Sequence, residues 1–178
     1  MLRTLRTLRT LWRAMNAITR AGRNQAGEVT FTQSLSAVLL KRGGTKVDLG
    51  VVSRRVVTTA GVKFLVDNFA AAGPNVGTFK YHAMGTGTNS EDPADTALQT
   101  EVETRAAGSQ ASATAGANAT YTTVGTIAFT GPHAITEHGI FSAAAVGTLW
   151  DRSKFLAING DVGDAIQFTY VLTANSGG

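Results

Sequence analysis

Ile166, Phe168, Tyr170 and Leu172 alternate with Gln167, Thr169, Val171 and Thr173. A strict two-residue period of this kind describes a strand with one face turned to a core. Segments with the same tendency precede it at residues 79–84, 120–130, 134–142 and 148–158, and residues 164–173 close the series. Gly131-Pro132, Gly147, Asn159-Gly160-Asp161 and Gly163 separate them as turn signals. Short strands at this spacing predict a mainly β fold, an antiparallel β-sandwich of jelly-roll type, over residues 76–175. Phe79, Ile127, Phe129, Ile140, Phe141, Leu149, Phe155, Ile158, Ile166, Phe168 and Tyr170 are its expected core, with Phe31 joining from the N-terminal segment. Adjacent Ile140 and Phe141 must then face opposite sides.

Upstream, residues 28–40 alternate in part and read as a strand or strand pair, and residues 45–52 as a further strand after the turn Lys41-Arg42-Gly43-Gly44. One helix interrupts the pattern. Thr58 or Thr59 caps it, Val62, Leu65, Val66 and Phe69 form its i, i+3, i+4, i+7 apolar face, and Gly73-Pro74 stops it, giving a span of 59–72. Residues 106–119, nearly all Ala, Gly, Ser and Thr, read as a loop or a weak edge strand because such side chains bury little area. The chain of 178 residues suits one domain. Its organisation reads as an extended or helical basic arm over 1–27 and a sandwich body over 28–178.

Charge divides the chain too, but farther along, after residue 55. Residues 1–55 carry eleven Lys or Arg against two acids, and residues 56–178 carry five against ten. Within the arm, Leu-Arg-Thr is repeated three times before Leu11-Trp12-Arg13. On a helix the three-residue step drifts by about 60° per repeat, so Leu2, Leu5, Leu8 and Leu11 form a slowly winding stripe. Arg3, Arg6, Arg9 and Arg13 flank it, and Trp12 extends it. These nine residues are the candidate partner-binding site. Arginines alone suit nucleic-acid phosphates, but the interleaved leucines favour an apolar protein groove with acids at its rim. The acid-free composition of this stretch also resembles a mitochondrial transit peptide, whereas its arginines interrupt what would be the apolar core of a secretory signal. No apolar run reaches the roughly 18 residues of a membrane-spanning helix.

Motifs for catalysis are sparse. The chain has no cysteine, hence neither disulfides nor thiolate metal sites. Its histidines are His82, His133 and His138. A metal site of two histidines and a carboxylate would need His82 and His138 to converge on neighbouring strands, and the favoured reading is satisfied or exposed imidazoles. Gly85-Thr86-Gly87-Thr88 lacks the third glycine of a dinucleotide fingerprint and the Gly-Lys-Ser/Thr of a P-loop, so it reads as a glycine-lined turn. Asp161 and Asp164 around Gly163 shape a turn, and no Gly-x-Ser-x-Gly elbow supports a nucleophile. The expectation is no catalytic residue, no metal and no cofactor, with all three histidines replaceable without loss of assembly. Asp95 is expected to cap a short turn that brings Leu98 to the core, and Arg152 to pair with Glu101, Glu103 or Glu137.

Several motifs occur in a fixed order: residues 57–62 leading into the helix, Tyr81-His82-Ala83-Met84-Gly85-Thr86-Gly87-Thr88, residues 95–101, Thr136-Glu137-His138-Gly139-Ile140-Phe141, residues 149–155, and Gln167-Phe168-Thr169-Tyr170. In this order, across about two-thirds of the chain, the sequence resembles small virion proteins of tailed bacteriophages. The resemblance implies a structural, non-enzymatic role. The leading form is a capsid decoration (cement) protein assembled in the bacterial cytoplasm, lattice-bound or homo-oligomeric, with the major capsid protein as partner and no membrane. A tail, fibre or neck component and a nucleic-acid-binding protein using the arm are the alternatives. The arm lies outside the resemblance.

Overall fold

The computed structural model describes residues 29–54, 57–69, 75–116 and 118–176. The arm residues Leu2, Arg3, Leu5, Arg6, Leu8, Arg9, Leu11, Trp12 and Arg13 lie outside them, as does the expected end of the helix at 70–72. Nine strands are described: β1 Val29–Leu40, β2 Lys46–Ser53, β3 Tyr81–Gly85, β4 Glu101–Ala107, β5 Ser109–Ala115, β6 Asn118–Ala128, β7 His133–Phe141, β8 Leu149–Gly160 and β9 Ala165–Ser176. One helix, α1 (Thr59–Phe69), separates β2 from β3, and a single 3-10 turn spans Val76–Thr78.

The strands form two antiparallel sheets, one ordered β2-β1-β9-β6-β5 and the other β4-β3-β7-β8. They pack face to face as the expected antiparallel β-sandwich. β9 lies between β1 and β6 and pairs with both along its whole length. Its strict alternation follows from that place: Ile166, Phe168 and Tyr170 are buried between the sheets while the intervening residues are only half-buried. The segment expected as a strand or strand pair is a single strand over Val29–Leu40. Residues 106–119 do supply an edge strand, β5, exposed along its length.

All eleven residues expected in the core are buried. Ile140 belongs to the main inter-sheet cluster, whereas Phe141 joins Ala83, Leu98 and Leu149 in a second cluster on the other side of the same strands. The loop 86–100 delivers Leu98 to that second cluster, so β7 is buried on both faces. Phe31 is a correction: it remains 46% exposed. It lies three residues into β1 and is left at the margin of the core.

The helix is the second correction. Thr58 caps it as expected, its Oγ1 accepting from Gly61 N at 3.0 Å. The same hydroxyl donates to Leu149 O at 2.6 Å, and Thr58 N donates to Trp150 O at 2.8 Å, which fixes the start of α1 on β8. A Cβ on Gly61 would lie 2.8 Å from Trp150 O, so only glycine permits this approach. Because Gly61 faces β8, the buried stripe runs through Gly61 and Phe64, with Leu65 half-buried. Val62, Val66 and Phe69 point outward, with Phe69 85% exposed. The most periodic apolar face of the helix is therefore its solvent face.

Candidate functional site

Three features concentrate chemistry that a site could use: two buried polar clusters and one apolar groove.

The first cluster surrounds Glu137, which is fully buried on β7. Its Oε1 accepts from Gly87 N at 3.0 Å and Thr100 N at 2.9 Å. Its Oε2 accepts from Gln99 N at 3.1 Å and from Arg152 Nε at 2.9 Å and Nη2 at 2.8 Å. Arg152, also fully buried, donates further to Asp95 Oδ2 at 2.9 Å and Ser90 O at 3.1 Å. The carboxylate thus has no lone pair left for a substrate. Gly85 and Gly87 are required here, since a Cβ on either would lie 2.5 Å from Glu137 Oε1. The glycine-lined turn of the sequence is a cradle for a buried carboxylate. Of the three acids expected for Arg152, Glu137 takes the role; Glu101 pairs with Arg105, and Glu103 accepts from Thr130. Asp95 organises its turn as expected, with Oδ2 accepting from Asp92 N.

In the second cluster His82 and His138 do converge. His82 Nδ1 lies 3.0 Å from His138 Nε2, and His82 Nε2 lies 3.1 Å from Thr123 Oγ1 on the facing sheet. Both rings are completely buried, and His138 packs on Phe168 with ring centroids 4.4 Å apart. Burial holds His82 down to about 4. Burial, then the neighbouring His82, holds His138 well below the ordinary histidine value. Both imidazoles are therefore neutral, and the N–H of one donates to the bare ring nitrogen of the other. No third His, Cys, Asp or Glu completes a metal-binding group among the described residues. The pair joins the sheets, and Gly108 and Gly125 leave room for the His82 ring. Replacing His82 or His138 thus carries a folding cost that the sequence reading did not assign. His133 stays partly exposed beside Glu103.

Between these clusters and the groove sits Asp151, whose carboxyl is buried and pushed up to about 7 by burial, against the hydrogen bond that it accepts from Ser153 Oγ at 3.1 Å. Tyr170 OH donates to Gln33 Oε1 at 2.9 Å and accepts from Trp150 Nε1 at 2.8 Å, so this chain of polar groups runs under the groove floor.

The groove lies between the start of β1 and α1. Two adjoining apolar cavities, about 230 Å³ and about 330 Å³, share Phe31, Leu65 and Trp150 as walls. Val62 lines one and Val76 the other, and no charged side chain lines either. The exposed Val62, Val66 and Phe69 of α1 and the exposed Val29 of β1 extend this apolar surface. The sequence signalled it only as a helix face wrongly expected inside. A third cavity, about 570 Å³, differs in kind: Arg54, Glu91 and Lys154 stand on its walls.

No family model, no curated protein and no solved structure matches this chain.

Proposed function

We propose that the chain is a non-enzymatic structural component of a tailed-phage virion, a decoration protein that attaches to the capsid shell through the apolar end formed by α1 and β1 together with its basic N-terminal arm. The observation that supports this most is the stripe of Val62, Val66 and Phe69, turned to solvent on a helix whose other side is anchored to β8. Large apolar side chains grouped on a surface mark a docking site more often than a solvated one. The buried ionisable clusters act inside the fold, holding sheet to sheet and loop to strand. The sequence resemblance supplies the particle, and the arm supplies a second point of attachment. Repetition on a lattice raises the strength of each small contact.

Localisation tests the proposal. Antibody against the sandwich body, applied to purified virions of the phage that encodes the chain, should decorate the capsid shell. Label confined to tail or neck moves the chain to that position, and virions without the chain end the structural reading. Retention of the isolated chain on DNA, falling steeply with salt, would favour the nucleic-acid role of the arm.

A further inference from the structure

We infer that the groove between β1 and α1 is the seat of this chain's own N-terminal segment, residues 2–12, with Leu2, Leu5, Leu8 and Leu11 turned into it and the arginines turned out. The inference concerns the isolated chain and holds or fails whatever particle the protein belongs to.

Three observations carry it. The first is connection. Residues 1–28 lead directly into β1 at Val29, and Phe31, two positions later, is a wall of both cavities. Sixteen residues, 13–28, intervene, with Gly22 and Gly27 among them. Even six residues extend to about 20 Å, and glycines allow the chain to reverse, so the leucines can reach a groove beside their own exit point. The second is chemistry. The arm combines a leucine every third residue with arginines and no acid. The groove walls carry no charge, so they suit the leucines and exclude the guanidinium groups, which must then face solvent. The charged walls of the third cavity make the opposite choice. The third is capacity. An apolar cavity of about 150 Å³ accommodates a benzene ring, so cavities of about 230 and about 330 Å³ take leucine side chains without rearranging the core.

The chain's own arm is favoured over a neighbour's by tethering. A short flexible linker holds its segment at an effective concentration of about a millimolar, which a second copy at ordinary concentration does not match. Seated in this way, Arg3, Arg6, Arg9 and Arg13 would form a basic ridge over the apolar end of the molecule, fit for an acidic protein surface.

Tryptophan placement makes the test direct, because the chain has two: Trp12 in the arm and Trp150 in the groove wall. In full-length protein carrying Trp12→Phe, acrylamide quenching reports Trp150 alone. Changing Leu2, Leu5, Leu8 and Leu11 together to Ser should raise its quenching. Val62→Glu, at a half-exposed position on the groove wall, should do the same with the arm intact. An unchanged β signature in circular dichroism verifies the fold of both variants. Protection in the parent should persist through roughly a hundredfold dilution, as expected of a tethered segment. Equal quenching in parent and Leu→Ser protein would overturn the inference. So would protection that vanishes on dilution, which would assign the groove to the arm of a second copy.

Discussion

The surroundings of Glu137 and the end of the molecule around α1 handle unfavourable surface in opposite ways. Around Glu137, a carboxylate and a guanidinium sit at zero exposure, and each finds partners in loop 86–100 and on the neighbouring strand. Around α1, Val62, Val66 and Phe69 remain in water although the same helix buries Phe64. The first region is closed chemically and has nothing left to offer a ligand. The second is open, and its apolar surface finds no cover among the described residues. The difference separates what holds this fold together from what it can present to a partner.

Breaking the closed region should have the largest effect. Glu137→Ala leaves Arg152 buried without its main counter-charge and should destabilise by about 3–5 kcal/mol in urea unfolding. The double change Glu137→Leu/Arg152→Met should cost less than either single change, because no lone charge remains. Equal and additive losses would show that the two side chains are not one unit.

The histidine pair comes next. His82→Ala removes a buried ring, orphans Thr123 and His138, and opens a cavity between the sheets, at a cost of about 2–4 kcal/mol. His133→Ala, at a partly exposed site, should be close to neutral. Similar unfolding midpoints for the two variants would contradict the inter-sheet role of His82.

The pH profile sharpens the comparison within the buried groups. Folded His82 takes a proton only near pH 4, whereas the unfolded chain takes it near 6.5, so stability falls on acidification through that window. Asp151 acts in the opposite sense. Its folded carboxyl keeps the proton up to about pH 7, the unfolded one loses it near 3.8, and stability falls as pH rises between them. The two slopes oppose each other over most of the acidic range. Asp151→Asn removes one of them, so its thermal midpoint should drop more steeply from pH 6.5 to 4 than that of the parent. Parallel profiles would rule out a protonated Asp151 in the fold.

How much of this was legible in the sequence depends on whether a residue answers to one neighbour or to several. β9 pairs with strands on both sides and faces one core, so its alternation stated the strand and the burial together. β4 escaped notice because its register breaks opposite Ala83, and Glu103 adopts a φ of 62°, which interrupts any two-residue period. The face of α1 was misread because periodicity ranks apolar content. The helix is instead oriented by Thr58 and by the absence of a side chain at Gly61. For Glu137 and Arg152 a signal did exist: Glu137 is the one acid of the strand segment 134–142, and a carboxylate carried inside between Ile135 and Ile140 needs a cation such as Arg152. The meeting of His82 with His138 had no comparable signal, since it depends on register between strands far apart in the chain.

The smallest effect on stability is also the sharpest test. Val66→Ser/Phe69→Ser changes only side chains that are mostly in solvent and line neither groove cavity, so each should shift unfolding by no more than about 0.5 kcal/mol. Binding of this double variant and of the parent to virions stripped of the protein, at one fixed salt concentration, measures the central claim directly. An unchanged unfolding midpoint with attachment lost is the predicted result. Attachment equal to that of the parent would show that the open end is not the binding surface.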